Sequence, residues 1–313
     1  MDRLLGEVVV LDAVDAGLVR GLQGDGRASF QALSQLVGIS REAARARVQR
    51  LLDQGRVRVV GVVAPEVAGL TALAHVSLDV AGPSAAAALV AAARPAARFV
   101  SCTAGPHAVV ADVRVADADA LEAECALLRQ APGVRGIEVF ACTDLVKDAY
   151  APTSPAAGRC RLTAADLDRI DRLLLELLQR DGRASFSALS ERVGLSQPAT
   201  RARVLRLLEA GAVYVTGLVA TAALGVREAA GIGLGVRAGA REVARAAARL
   251  PGVNYVALGH GRFDVVCGVD ARDRAELLAG LEALRGLAGV ARSESWVHLE
   301  IVKESYTYDL PAE

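Results

Sequence analysis

The chain holds 313 residues, enough for two or more domains, and 53% of them are hydrophobic while only 4% are aromatic, so its cores must be built from Ala, Leu and Val. Thirty-six Lys and Arg balance 36 Asp and Glu at a pI near 6.9. That balance excludes a histone-like basic protein, and it leaves local basic surfaces to be found residue by residue.

The first periodic segment with clear punctuation runs from Ser29, a helix cap, through Leu33 and Val37 to Gly38. Ile39 follows, Ser40 offers a second cap, and the next helix carries Val48, Leu51 and Leu52 inward before Gly55 stops it. A short helix, a glycine turn and a capped helix have the spacing of a helix-turn-helix. From about residue 73 to 150 the periodicity changes to an expected β-α-β-β-α-β order. APTSPAAGRC (151–160), with two prolines, Ser, Thr and Gly, is the expected linker.

Then the opening pattern returns. DGRASF at 25–30 recurs at 181–186, 156 positions on, and 25 of the 39 residues of 25–63 match 181–219 without a gap. A period of 156 residues is far too long for a solenoid and has the length of a small protein, so two fused copies are expected. In the second copy Leu167, Ile170, Leu174, Leu177 and Leu178 recur at helical spacing with Thr163 as the expected N-cap. Gly182 ends that helix, and Ser185 caps the next, which runs through Phe186, Leu189 and Val193 to Gly194. Ser196 caps the third, with Pro198 in its first turn, where a missing N–H costs little. VYVTGLV (213–219) reads as a strand or wing. Strands follow at 232–236, 253–259, 263–269 and 290–306, with helices at 241–250 and 274–287. The fold class is therefore α+β: two tandem copies of a winged helix-turn-helix followed by a ferredoxin-like β-α-β-β-α-β domain, an antiparallel sheet with two helices on one face. The expected domains are 1–63 and 64–150, a linker at 151–162, then 163–219 and 220–313.

A helix fits the major groove, where its N-terminal side chains meet base edges and its basic residues meet phosphates. The candidate DNA-binding residues are Arg41, Glu42, Arg45, Arg47 and Arg50 in copy one, and Gln197, Pro198, Thr200, Arg201, Arg203 and Arg206 in copy two. Ala44 stands where copy two has Thr200. Arg45 and Arg201 are assigned to bases, Arg50 and Arg206 to phosphates. Arg47 and Arg203, each next to an inward valine, either bridge helices or touch DNA. Residues 25–56 hold six Arg against three acids, and 181–212 hold five against three, so the heads are locally basic in a neutral chain.

Residues 167–211, LDRIDRLLLELLQRDGRASFSALSERVGLSQPATRARVLRLLEAG, resemble the N-terminal domain of the Lrp/AsnC (feast/famine) transcriptional regulators. The β-α-β-β-α-β segment resembles their effector-binding and oligomerisation domain. Its hallmark turn is matched by Gly261-Arg262-Phe263-Asp264. The resemblance covers nearly the whole chain, twice. It implies a dimer with sheets packed face to face, double-stranded DNA as partner, further assembly into homo-oligomers of pseudo-dimeric chains, and a small effector, usually an amino acid, bound between subunits. Gly259, Gly261, Arg262 and Asp264 are the implied effector residues, Asp264 either meeting an effector amine or capping its turn. Copy one has Gly105-Pro106-His107-Ala108 there, and Ala108 can neither accept a hydrogen bond nor carry charge.

No G-x-S-x-G, P-loop or dinucleotide fingerprint supports an enzyme, and GIGLG (231–235) reads as close backbone packing within a strand. The sirohaem decarboxylases resemble this fold and also come fused. They need a basic, histidine-lined pocket, and this chain has only His75, His107, His260 and His298. His107 has no second His or Cys at ligand spacing, so no metal and no cofactor is expected. The other alternative is an interaction scaffold that has lost DNA affinity. Five cysteines (Cys102, Cys125, Cys142, Cys160, Cys267) without a C-x-x-C pair suit free thiols in a reducing compartment. The acid-bearing N-terminus MDRLLGEVVVLDAVD does not read as a signal peptide, and no apolar run reaches the roughly 18 residues of a membrane span. A cytoplasmic protein is expected.

Overall fold

The computed structural model describes residues 11–149 and 160–310. In copy one these form α1 (Ala13–Gly24), α2 (Phe30–Val37), α3 (Arg41–Asp53), β1 (Val57–Val63), β2 (Ala72–Val80), α4 (Ala85–Ala93), β3 (Ala97–Ala104), β4 (Val109–Val115), α5 (Ala118–Arg129) and β5 (Val134–Asp148). Copy two repeats the order with α6 (Arg169–Arg180), α7 (Phe186–Val193), α8 (Gln197–Glu209), β6 (Val213–Val219), β7 (Glu228–Val236), α9 (Ala240–Ala247), β8 (Val253–His260), β9 (Val265–Ala271), α10 (Arg274–Arg285) and β10 (Val290–Glu304). The α+β class and both ferredoxin-like orders are as the sequence implies.

The chain alternates between two compact units. One takes residues 11–69, 160–225 and 306–310, and the other 70–149 and 226–305. The divisions at 69/70 and 225/226 fall six residues later than the sequence places them, because the 3-10 turns Pro65–Ala68 and Thr221–Leu224 belong with the heads. Of the linker expected at 151–162, only 160–162 lie within the described residues.

In the head unit, caps and glycines act where the sequence puts them. The Ser29, Ser40, Ser185 and Ser196 hydroxyls accept from the backbone N–H three residues on, and Gly38 and Gly194 turn the chain at φ near +70°, a conformation that only glycine adopts without a Cβ penalty. Thr163 departs from expectation. It caps the 3-10 turn Ala164–Asp166, and Asp168 caps α6 through a reciprocal capping box with Asp171. The core of the first head gathers Leu18, Val19, Leu22, Leu33, Val48 and Leu51 with Val215 of the other copy.

The two copies are joined in this unit by β1 and β6, which pair antiparallel with Val60 opposite Thr216 at the centre. Thr216 is the residue 156 positions after Val60, so the ladder is symmetric about the repeat.

The second unit is a closed eight-stranded barrel in the order β10-β3-β4-β2-β5-β8-β9-β7. Each ferredoxin-like sheet contributes four strands, and the sheets are stitched edge to edge by β5 on β8 and β10 on β3. Closure removes the open edges that a four-stranded sheet would expose. Helices α4 and α5 cover one half through Ala88, Ala91, Cys125 and Leu128; α9 and α10 cover the other through Val243, Ala247, Leu277 and Leu284. The inner faces meet around Val110, Phe140, Ala257, Phe263, Val266 and Trp296. The GIGLG segment makes room for this filling: a Cβ on Gly231 would strike the Trp296 ring, and one on Gly233 the Phe263 ring.

Candidate nucleic-acid interface and effector pocket

On the reading helices α3 and α8, Arg41, Glu42 and Arg45 are exposed, as are Gln197, Pro198 and Arg201. The Arg201 guanidinium lies 5.8 Å from the centre of the Phe186 ring. Thr200 is placed otherwise. It is 0% exposed, as is Ala44, and its hydroxyl has no hydrogen-bond partner. Both side chains face the head core, so Thr200 is not a base reader; the helical period turns it inward beside Val204. The exposed face continues instead through Gln49 and Leu205, a pair that the sequence reading missed.

The distal arginines are committed inside each head. Arg47 donates to Asp12 at 2.7 Å and Asp15 at 2.9 Å, and Arg50 to Asp15 at 2.8 Å. Copy two repeats the clamp: Arg203 donates to Asp168 at 2.7 Å and Asp171 at 3.0 Å, and Arg206 to Asp171. Asp15 and Asp171 are only 4% and 2% exposed, and a buried carboxylate requires such partners. The backbone N–H of Asp15 and the Arg47 guanidinium hold Asp12 below its usual range; Asp171 and Arg203 do the same for Asp168. For Arg47 and Arg203 the structure thus displays the helix bridge. Arg50 and Arg206, assigned to phosphates from sequence, also tie the reading helix to α1 or α6.

The repeated DGRASF segments meet across the head unit. Arg27 donates to the carbonyls of Gly182 (2.6 Å) and Ala184 (3.1 Å), and Arg183 to those of Gly26 (2.8 Å) and Ala28 (3.2 Å). Each guanidinium lies over the other copy's phenylalanine, at 5.1 Å for Phe186 and 5.2 Å for Phe30. Gly26 and Gly182 donate backbone N–H bonds to Val215 and Val59. A Cβ on either glycine would strike the opposing strand backbone. The hexapeptide recurs because each copy is the other's socket.

In the barrel, Asp264 accepts the Val236 N–H at 2.7 Å and its own N–H bonds Leu234, so it caps the end of β7. Gly261 sits at φ +152° against the Val139 carbonyl, and a Cβ on Gly259 would strike the Ala141 carbonyl. Arg262 reaches across the repeat to Glu138 at 2.9 Å and also pairs with Glu294. Burial opposes ionisation of Glu138, but Arg262 and His107 together hold its carboxyl below the ordinary value. His107 is 3.1 Å from Glu138, and a cavity of about 380 Å³ opens here, lined by Asp79, Pro106, His107, Glu138 and Arg262 among others. Sequence reasoning placed the effector residues on copy two alone. The cavity instead draws on the copy-one turn, which is visible only once the edge strands pair.

The barrel interior holds a second polar group. His75 contacts Asp112 at 2.7 Å and stacks on Trp296 at 5.3 Å, and His298 meets Phe99 edge-on. Burial and nearby His75 push His298 down to about 4. Burial, then Glu304, pushes Asp270 up to about 7. Among the described residues no cluster of three His, Cys, Asp or Glu is arranged to hold a metal ion, and no helix is long and apolar enough to cross a membrane.

Comparison with known proteins matches these parts. The AsnC-type helix-turn-helix domain matches residues 11–52 and 167–208, and the Lrp/AsnC ligand binding domain matches 231–308. An uncharacterised HTH-type transcriptional regulator of Pyrococcus abyssi is 33% identical over 143 residues, covering 45% of this chain and 90% of that protein. An HTH-type transcriptional regulator of Mycobacterium tuberculosis is 35% identical over 136 residues, covering 42% and 92%. The solved siroheme decarboxylase NirDL superposes over 93% of both chains with a TM-score of 0.66 at 15% identity, which shows a shared fold. The relatives' lengths each correspond to one copy, and this chain belongs to the Lrp/AsnC family as two copies in one polypeptide.

Proposed function

We propose that the chain is a DNA-binding transcriptional regulator whose two heads engage one duplex and whose barrel binds a small effector. The observation that carries this reading is the pair of Ser-capped reading helices with Arg45 and Arg201 exposed near their N-termini, joined through a symmetric β1–β6 ladder. Two heads placed symmetrically about that ladder suit two half-sites on one face of DNA. Arg41, Glu42, Arg45, Gln197, Pro198 and Arg201 are the contacts we assign.

The cavity beside His107, Glu138 and Arg262 is the effector site in this reading. Its mixed charge suits a zwitterion such as an amino acid, with Arg262 toward a carboxylate and Glu138 or Asp79 toward an amine. The same lining suits a polyanionic macrocycle poorly, because two carboxylates stand against one arginine. The barrel fold shared with a decarboxylase therefore gains no support from this cavity, and we assign no enzymatic role. Exposed Leu89 and Leu127 on the outer helices favour further association of chains, readable by light scattering.

The test is a titration of the full chain against fragments of its host genome at several salt concentrations. Saturable, salt-dependent binding to particular fragments, weakened by Arg45→Ala or Arg201→Ala, supports the regulator. Binding to no fragment leaves the scaffold reading.

A further inference from the structure

We infer that this protein recognises a non-palindromic operator made of two unlike half-sites, because a symmetric frame presents two different reading faces. The inference rests on the DNA-binding reading and adds the class of DNA that the heads select.

The frame is symmetric in detail. Val60 faces Thr216, its own equivalent, and the ladder extends evenly to Val57 opposite Val219 and Val63 opposite Val213. The arginine clasps are reciprocal: Arg27 takes the carbonyls of Gly182 and Ala184, and Arg183 takes those of Gly26 and Ala28. Inside each head the clamps repeat as well, with Arg47 and Arg50 on Asp15 matched by Arg203 and Arg206 on Asp171. Both reading helices are therefore set by the same contacts.

The exposed faces on that frame differ. Copy one presents Arg41, Glu42 and Gln49; copy two presents Gln197, Pro198 and Leu205. Of the residues assigned to bases, Arg45 and Arg201 are the matching pair. Arg pairs with guanine, Glu accepts from the cytosine amine, and Gln pairs with adenine, whereas Pro and Leu offer only apolar contact, as to a thymine methyl. One base sequence cannot satisfy both sets. A homodimer must read matching half-sites because its heads are copies, and fusion removes that constraint. The assigned base contacts diverge, while the clamp and clasp residues stay the same in both copies.

The experiment is selection of bound sequences from a randomised double-stranded DNA library by the full chain. It is repeated with Arg41→Gln/Glu42→Pro/Gln49→Leu, and with the reciprocal Gln197→Arg/Pro198→Glu/Leu205→Gln. Every altered side chain is exposed, and Pro198 already occupies the equivalent of position 42, so each variant keeps the clamp and clasp contacts; Gln49→Leu gives up the exposed hydrogen bond to Asp53. The parent should enrich two unlike half-sites. The first variant should enrich an inverted repeat of one of them, and the second an inverted repeat of the other. Each mismatched base pair should weaken binding about 5- to 150-fold. Enrichment of an inverted repeat by the parent, or half-sites unmoved by either exchange, overturns the inference while leaving the regulator reading intact. No enrichment over random DNA overturns both.

Discussion

Replacing Arg27 by alanine should open the joint between the two heads, and the structure sets the size of the effect. Arg27 makes two hydrogen bonds to carbonyls of the other copy, at 2.6 and 3.1 Å, and lies 5.1 Å from the Phe186 ring centre. A hydrogen bond to a charged group contributes about 1.5–3 kcal/mol, and a partly solvated cation–π contact about 0.5–1 kcal/mol. Burial and the facing Arg183 work against the charged form, so a net loss of about 2–3 kcal/mol is expected, below the gross sum. The assay is native-state hydrogen exchange at the Gly26 and Gly182 amides, which bond Val215 and Val59 across the joint. A loss of that size speeds exchange about 30- to 150-fold when opening precedes exchange. Arg27→Lys should recover little, since an ammonium cannot span two carbonyls and stack on a ring as a planar fork does. Arg183→Ala should match Arg27→Ala, and the double variant should fall short of additivity because the pair shares one interface. Unchanged exchange at both glycines in a folded Arg27→Ala protein would refute the clasp.

Arg206→Ala should lower head stability by about 1–2 kcal/mol, a figure discounted because half of its side chain is solvated, and leave the salt slope of DNA binding unchanged; a slope reduced by about one would return Arg206 to a phosphate. Thr200→Val should leave sequence selection intact and stabilise the head by about 1 kcal/mol in thermal melts, by removing a buried hydroxyl without a partner; altered base preference would make Thr200 a reader after all. Asp270 has a folded value raised to about 7 from an ordinary 3.8. Its folded form holds the proton longer, so its contribution to stability is fully present below the unfolded value and is lost as pH rises toward 7. Asp270→Asn should therefore raise the melting temperature at pH 8 and change it little at pH 4, and equal effects at both would contradict the assignment.

The head was legible because its determinants are local. Ser29, Ser40, Ser185 and Ser196 cap the helices they precede, and glycines end those helices where left-handed backbone is required. The roles of Arg50 and Arg206 were not legible, since Asp15 and Asp171 lie 35 residues upstream and only the folded head brings them under the reading helix. Thr200 was misjudged for a simpler reason: it sits four residues before Val204, and that spacing puts both on the inward face. In the barrel, GIGLG could be read as close packing, but the object packed against it could not, because Trp296 and Phe263 arrive from distant strands. The cavity was hidden in the same way. It draws Pro106 and His107 from one copy and Arg262 from the other, and strand pairing across the repeat creates it.

That pairing also bears on what one copy can do alone. β5 meets β8 with Ala141 opposite His260 and Cys142 opposite Gly259, while β10 meets β3 with Val297 opposite Ala104 and His298 opposite Thr103. Each pair in one seam is the 156-residue image of a pair in the other, so the chain closes on itself as two identical subunits would. A fragment of residues 160–313 carries α6 to β10 and keeps the Gln179–Tyr308 contacts within one copy. It would leave β6, β8 and β10 with unpaired edges and Gly182 without Val59. Unpaired edges drive association, so the fragment should dimerise, with Thr216 opposite Thr216 and Arg183 filling the socket of a second copy. In that dimer Phe263 and Glu294 replace His107 and Glu138, and the histidine of the cavity is lost. Sedimentation over a range of concentrations should show a folded dimer whose melting temperature rises with concentration. A folded monomer with a melting temperature independent of concentration would mean that the copies do not depend on each other, and that the symmetric seams are not what holds this protein together.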